Sequence, residues 1–237
     1  MNRFLSFVSI ALVALIFGFL GAWAFTLTPL HGSATRTWLV ENPDILPEMA
    51  QALQERDSAR QLAGIRGEVE NPFPGAVLGN PNGTVTLVEF SDYGCTFCRH
   101  SVGDVKKLIA ANPDLRVVVR EWPIFDGSEA AARMALVAAK QGKFAAFHDA
   151  MFASGPPSAA TIAAAAEKAG IDMRAAREQG VAQDVTYELQ KNHQLAQQLR
   201  FEGTPAWVVG NQVIGGAVGE TNLAKAVEAA RQAISDK

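Results

Sequence analysis

Cysteine is scarce in this 237-residue chain: there are two, Cys95 and Cys98, set in a single CxxC. A scaffold stapled by disulfides needs more of them, spread through the chain, so that architecture is excluded. Long basic runs are missing too, and the formal net charge is −3, which argues against nucleic acid as the main partner. No internal repeat is evident. Charge itself is missing from Phe4 to Leu30. What remains is ordinary for a folded protein, with 49% hydrophobic and 19% charged residues. The length suits one good-sized domain with an N-terminal extension.

The uncharged stretch FLSFVSIALVALIFGFLGAWAFTLTPL exceeds the roughly 20 apolar residues that a bilayer crossing requires. Residues 1–30 are therefore expected to be a transmembrane anchor, with Arg3 favouring a cytoplasmic N-terminus. A cleaved signal peptide is the competing expectation, since Ala22-Trp23-Ala24 has small-x-small form. Either one places the rest of the chain across the membrane, at the inner membrane facing the periplasm or released there, where disulfides persist.

Residues 31–75 read as a helical extension. Pro43 and Asp44 open a helix to about Gln61, with Ile45, Met49 and Leu53 on one face. That stripe packs on its own domain or joins copies of the chain into a homo-oligomer. Asn71 to Gly75 reads as a boundary loop, and residues 76–237 as the main domain. Thr84–Phe90 is a strand, Cys95 to about Ala111 a helix, and Leu115–Val119 a second strand, a βαβ unit with parallel pairing. Residues 128–200 are alanine-rich and helical, with Phe144, Phe147 and Met151 at core spacing. Two short strands, Ala206–Val209 and Gln212–Ile214, flank a turn at Gly210-Asn211, and a helix runs from about Glu220 to Ile234. The class is α/β with a helical insertion.

A CxxC is either a redox pair or half of a metal site. Zinc needs four ligands, and the four histidines His31, His100, His148 and His193 form no pair at finger spacing, so no metal site is expected. At the start of a helix the CxxC has a clear purpose, because the free N–H groups and the positive dipole end stabilise a thiolate. Cys95 stands at that end and is expected to be the lower-pKa, attacking sulfur. Cys98, one turn on, is expected to be the more buried, resolving sulfur. No cofactor beyond the Cys95–Cys98 disulfide is required.

VTLVEFSDYGCTFCRH resembles the active-site segment of DsbA-family thioredoxin-fold proteins. REWPIFDGSEAAARMAL, GKFAAFHDAMF and GTPAWVVGNQVIGGAV resemble further segments of that family in the same order. The helical extension resembles that of suppressor-of-copper-sensitivity-type members. The resemblance implies a thioredoxin-like fold with an inserted helical subdomain. It also implies an exposed nucleophile at Cys95, a resolving cysteine at Cys98 and a cis peptide bond at Thr204-Pro205 in a substrate-binding loop. Glu89 matches a buried acid beneath the dithiol that assists proton transfer; an exposed strand carboxylate is the plainer reading.

Two positions depart from the family pattern. Thr96 stands where relatives carry proline, and Phe97 where histidine or tyrosine is common. These residues tune thiolate stability, so strong oxidising power is not implied. His100 and Arg99 read as solvated helix residues. The implied activity is thiol–disulfide exchange on cysteine-containing proteins, as oxidase or as isomerase, with a membrane redox partner to recycle the dithiol. The alternative is copper(I) held by the two thiolates without turnover.

Overall fold

The computed structural model describes residues 2–26 and 29–235, with side chains over 10–25 and 35–235. The chain divides into two compact units, residues 1–53 and 54–237. The first contains α1 (Asn2–Thr26), α2 (Pro29–Glu41), a short 3-10 helix (Pro43–Ile45) and the start of α3 (Leu46–Leu62). Pro29 opens α2 at the first helical position, where a missing N–H costs nothing. Residues 29–41 are thus helix, a segment of the extension in which the sequence marked no helix of its own. The apolar stripe of α3 is largely open, with Met49 49% and Leu53 59% exposed.

The anchor expected over residues 1–30 is not met among the described residues, none of whose helices is long and apolar enough to cross a membrane. Part of that expectation, the side chains of residues 1–9 and 26–30, lies outside the described residues.

The second unit is built on a five-stranded sheet. Its strands are β1 (Val77–Gly79), β2 (Val85–Ser91), β3 (Leu115–Glu121), β4 (Ala206–Val209) and β5 (Gln212–Gly215), in the order β1-β3-β2-β4-β5. β2 and β3 run parallel, joined through α5 (Thr96–Ala111); the other pairs are antiparallel. β2 and β3 are covered on both faces, so their residues are buried almost without interruption and show no inside–outside alternation to read. β1 is three residues long and gave no pattern.

Alternation in the structure sorts the two cores. Val85, Leu87, Leu115, Val117, Val119 and Trp207 face one side, with Cys98, Phe147 and Met151. Val88, Phe90, Val118 and Val208 face the other, with Leu62, Val69 and Leu195. Each such side chain contributes about 1.5–3 kcal/mol by leaving water. The helices after β3 are α6 (Ser128–Lys140), α7 (Phe144–Ala153), α8 (Ala159–Ala169), α9 (Met173–Gly180) and α10 (Gln183–Gln198). α8 follows the Gly155-Pro156-Pro157 break and starts on a Ser158/Thr161 capping box. α11 (Glu220–Ser235) closes the chain.

The core of this unit reaches further back in the chain than Val77. α4 (Arg66–Glu70) and the end of α3 bring Val69 and Leu62 into the second core. Arg120, fully buried on β3, fixes them there. Its guanidinium donates to the carbonyls of Glu68, Val69 and Asn71, to Glu188 Oε1 at 2.6 Å and to Asn192 Oδ1 at 3.1 Å.

Candidate active site

β2 ends at Ser91, and Asp92, Tyr93 and Gly94 turn the chain into α5. Asp92 shapes this turn: its carboxylate accepts N–H bonds from Gly94 at 2.7 Å, Ile124 at 2.7 Å and Phe125 at 2.9 Å. Gly94 leaves room for this packing, because a Cβ there would stand 2.5 Å from Ser128 Oγ and 3.0 Å from Phe125 Cβ and both would have to shift. The turn delivers Cys95 to the N-cap of α5, where its Sγ accepts from the Cys98 N–H at 3.4 Å. A sulfur in this place meets the unpaired donors and the positive end of the helix.

Both cysteines are free thiols. Cys98 is fully closed off, and Cys95 is only 2% exposed, so the open nucleophile implied by the sequence is not seen. The cause is the loop opposite: Cys95 Sγ donates to the Thr204 carbonyl at 3.2 Å. Thr96 and Phe97, by contrast, face solvent, Phe97 with 62% of its surface. The Thr204-Pro205 bond is cis. Thr204 meets Cys95 through its carbonyl, and its buried hydroxyl lies near enough to Cys98 to favour that thiolate.

Beneath the pair lies Glu89. It continues the Val85–Leu87 face of β2, opposite Trp207 on β4, and is 2% exposed. Burial pushes its carboxyl up to about 7; the Ser91 hydroxyl nearby opposes this without reversing it. Burial also pushes the Cys98 thiol up, and the Glu89 charge adds to this, while the Thr204 hydroxyl and the Asp92 backbone oppose it. A thiol that resists ionisation therefore sits beside a carboxyl half-ionised near neutral pH. Such a carboxyl can take the thiol's proton.

Arg99, expected in solvent, instead donates to the Phe152 carbonyl at 2.7 Å, while His100 is exposed. Three residues that the sequence did not single out lie close by. Tyr93 Oη donates to Glu121 Oε1 at 3.0 Å and stands 3.2 Å from His148 Nδ1. All three are buried. The segments containing them were legible, but nothing in the chain order indicated that they meet. Among the described residues no group of three or more His, Cys, Asp or Glu side chains is placed to hold a metal ion.

Comparison with known proteins gives a consistent picture. The model of the DSBA-like thioredoxin domain matches residues 86–228. A thioredoxin-like oxidoreductase from Silicibacter pomeroyi is 40% identical, with a TM-score of 0.67 over 70% of this chain and 98% of its own. ScsC from Proteus mirabilis is 27% identical, with a TM-score of 0.65 over 84% of this chain and 94% of its own. A periplasmic thioredoxin-like protein from Salmonella enterica is 26% identical, with a TM-score of 0.61 over 70% and 95%. The chain spans about a third of the length of the first curated relative it matches, the Na(+)/H(+) antiporter NhaA 1 of Salinispora arenicola: 31% of that protein and 84% of this chain, at 27% identity.

Proposed function

The chain belongs to the DSBA-like thioredoxin domain family and is a thiol–disulfide oxidoreductase; from that premise we propose that it acts outside the cytoplasm, as an isomerase or reductase of cysteine-containing proteins. The observation that carries this reading is the position of Cys95 Sγ as N-cap acceptor of α5, 3.4 Å from the Cys98 N–H and 3.2 Å from the Thr204 carbonyl. It is the place in the fold where a sulfur anion is met by backbone donors and the positive end of a helix.

The exchange runs as two sulfur displacements. The Cys95 thiolate attacks a substrate disulfide, forming a Cys95–substrate disulfide and releasing the second substrate sulfur as thiolate. Isomerisation follows when another substrate thiolate displaces Cys95. Reduction follows when Cys98 attacks Cys95 Sγ, closing the Cys95–Cys98 disulfide and freeing the substrate thiolate. For that attack Cys98 gives its proton to Glu89. Thr204 and Pro205 line the target strand, and the dithiol is the whole redox group, with no further cofactor.

The direction rests on Thr96 and Phe97. Neither brings a cation to the Cys95 sulfur, so the reduced form lacks the stabilisation that makes a strong oxidant. As a cleaved signal, residues 1–30 carry the domain across the membrane, and a membrane redox partner returns Cys95 and Cys98 to the dithiol. The exposed Met49 and Leu53 on α3 serve contact between copies of the chain.

The test is a glutathione titration of the dithiol beside refolding assays on scrambled and on reduced substrates. The proposal predicts disulfide isomerisation that vanishes in Cys95→Ala. A strongly oxidising dithiol that oxidises reduced substrate but leaves scrambled substrate unchanged would make the protein an oxidase instead.

A further inference from the structure

Glu89 and Cys98 are both shut off from water, so a proton that passes from the thiol to the carboxyl has no direct way out. The structure offers an indirect one. Ser91 is two residues beyond Glu89 on the same face of β2, and it pairs with Glu121 across the β2–β3 ladder. Its hydroxyl is buried and makes no direct hydrogen bond among the described residues, so it is free to turn towards either carboxyl. Glu121 Oε1 is 3.0 Å from Tyr93 Oη, and Tyr93 Oη is 3.2 Å from His148 Nδ1. His148 lines a surface cavity of about 170 Å³ with Val105, Lys106 and Asp149.

We propose that Ser91, Glu121, Tyr93 and His148 form a proton relay linking Glu89, beneath the dithiol, to solvent at the cavity beside His148. The inference rests on the role given to Glu89 above. The balance is simple and involves no electrons. Glu89 passes its proton through the Ser91 hydroxyl to Glu121; once the Tyr93 hydroxyl has turned its hydrogen from Glu121 to His148, Glu121 passes its own proton to Tyr93 Oη as Tyr93 passes its own to His148 Nδ1. His148 then releases its Nε2 proton to water in the cavity. Every group ends with the number of protons it began with, and Glu89 has lost one. Running backwards, the same line returns a proton when the disulfide is reduced.

The charge state of the line suits this work. Burial pushes the Glu121 carboxyl well up, the neighbouring Asp92 and Glu89 adding to this and the Tyr93 hydroxyl opposing it. Burial holds His148 neutral, its imidazolium forming only at about 4, with Asp149 opposing and Lys106 reinforcing the effect. Burial and Glu121 keep the Tyr93 phenol protonated. Neutral donors and acceptors in sequence pass protons without creating a buried charge, which this surrounding of Phe147 and Phe152 would oppose. A merely structural cluster would be better served by apolar side chains of similar size, since buried polar groups stabilise little even when paired. Lys106 and Asp149, paired at 2.8 Å and half exposed, keep the outer end in contact with water.

The chain has two cysteines only, so 5,5′-dithiobis(2-nitrobenzoate) reports both steps. The first thionitrobenzoate is released when Cys95 attacks, the second when Cys98 closes the disulfide. In Tyr93→Phe the second phase should slow about 10-fold, with a larger solvent deuterium effect, while the first phase is unchanged. Glu89→Gln should slow the second phase as well. Phe152→Leu disturbs the packing on Tyr93 without removing a hydrogen-bonding group and should leave both phases as they are. A normal second phase in Tyr93→Phe beside a slow one in Glu89→Gln overturns the relay alone. A normal second phase in Glu89→Gln overturns the relay together with the role of Glu89. Equal slowing in Phe152→Leu, or slowing of both phases in Tyr93→Phe, would mean disturbed packing and also overturns it.

Discussion

Replacing Glu89 by glutamine should make the protein more stable and less active, and pH reveals why. The folded-state carboxyl is raised from 4.5 to about 7 by burial. Below pH 4.5 it is protonated in the folded and the unfolded chain alike, and its full contribution to stability is present. As the pH rises towards 7 the unfolded chain releases this proton and the folded one does not. Folding therefore loses about 3 kcal/mol across that window and nothing more above it. Glutamine cannot ionise and escapes the loss. The gain in unfolding free energy of Glu89→Gln over the parent should thus grow by about 3 kcal/mol between pH 4.5 and 7.5. Urea unfolding of the reduced proteins at several pH values measures it, and the slopes from other buried groups largely cancel in the difference. A difference that stays flat with pH would show that Glu89 ionises as freely in the fold as outside it. Glu89 would then not be the acceptor of the Cys98 proton. The companion expectation is slower closure of the Cys95–Cys98 disulfide, a trade of activity for stability.

Further outcomes follow from the same geometry. Cys98→Ala should accumulate mixed disulfides with substrate at Cys95, visible on non-reducing gels, and Cys95→Ala should accumulate none. Arg120→Ala takes from buried Glu188 one of its two cationic partners, leaving Lys191, and frees three carbonyls, so it should cost about 2–4 kcal/mol in denaturant unfolding. Gly75→Ala places a Cβ against the Ala139 carbonyl at a backbone φ of +87°, and should lower stability by about 1–3 kcal/mol in the same assay. His148 is held neutral to about pH 4, so acidification from 6.5 to 4 should cost the parent about 3 kcal/mol that a His148→Gln variant keeps.

The sequence shows the βαβ unit, the helical block and the last hairpin within a few residues, because each is bounded by its own breakers: Asn112-Pro113, Gly155-Pro156-Pro157 and Gly210-Asn211. Cys95 and Cys98 are equally legible, since CxxC at a strand–helix junction carries its reason in the local chain. Burial is where the local reading stops. Whether Glu89 faces the core could not be read from a strand apolar on both sides, and only pairing with Val119 and Trp207 fixes it. The closure of Cys95 depends on Thr204, 109 residues away. Tyr93, Glu121 and His148 come from a turn, a strand end and a helix, and nothing short of the folded chain brings them together. α2 escaped notice because its residues are a weak mixture with no clear apolar face.

Arg120 has a practical consequence for any attempt to shorten this protein. A chain begun at Gly75 would discard Leu62 and Val69, baring one side of the central strands. It would also strip the guanidinium of the carbonyls at positions 68, 69 and 71. Misfolding or clumping of such a fragment would then say nothing about how whole chains associate, whereas a cut ahead of Gln54 leaves that stitching whole.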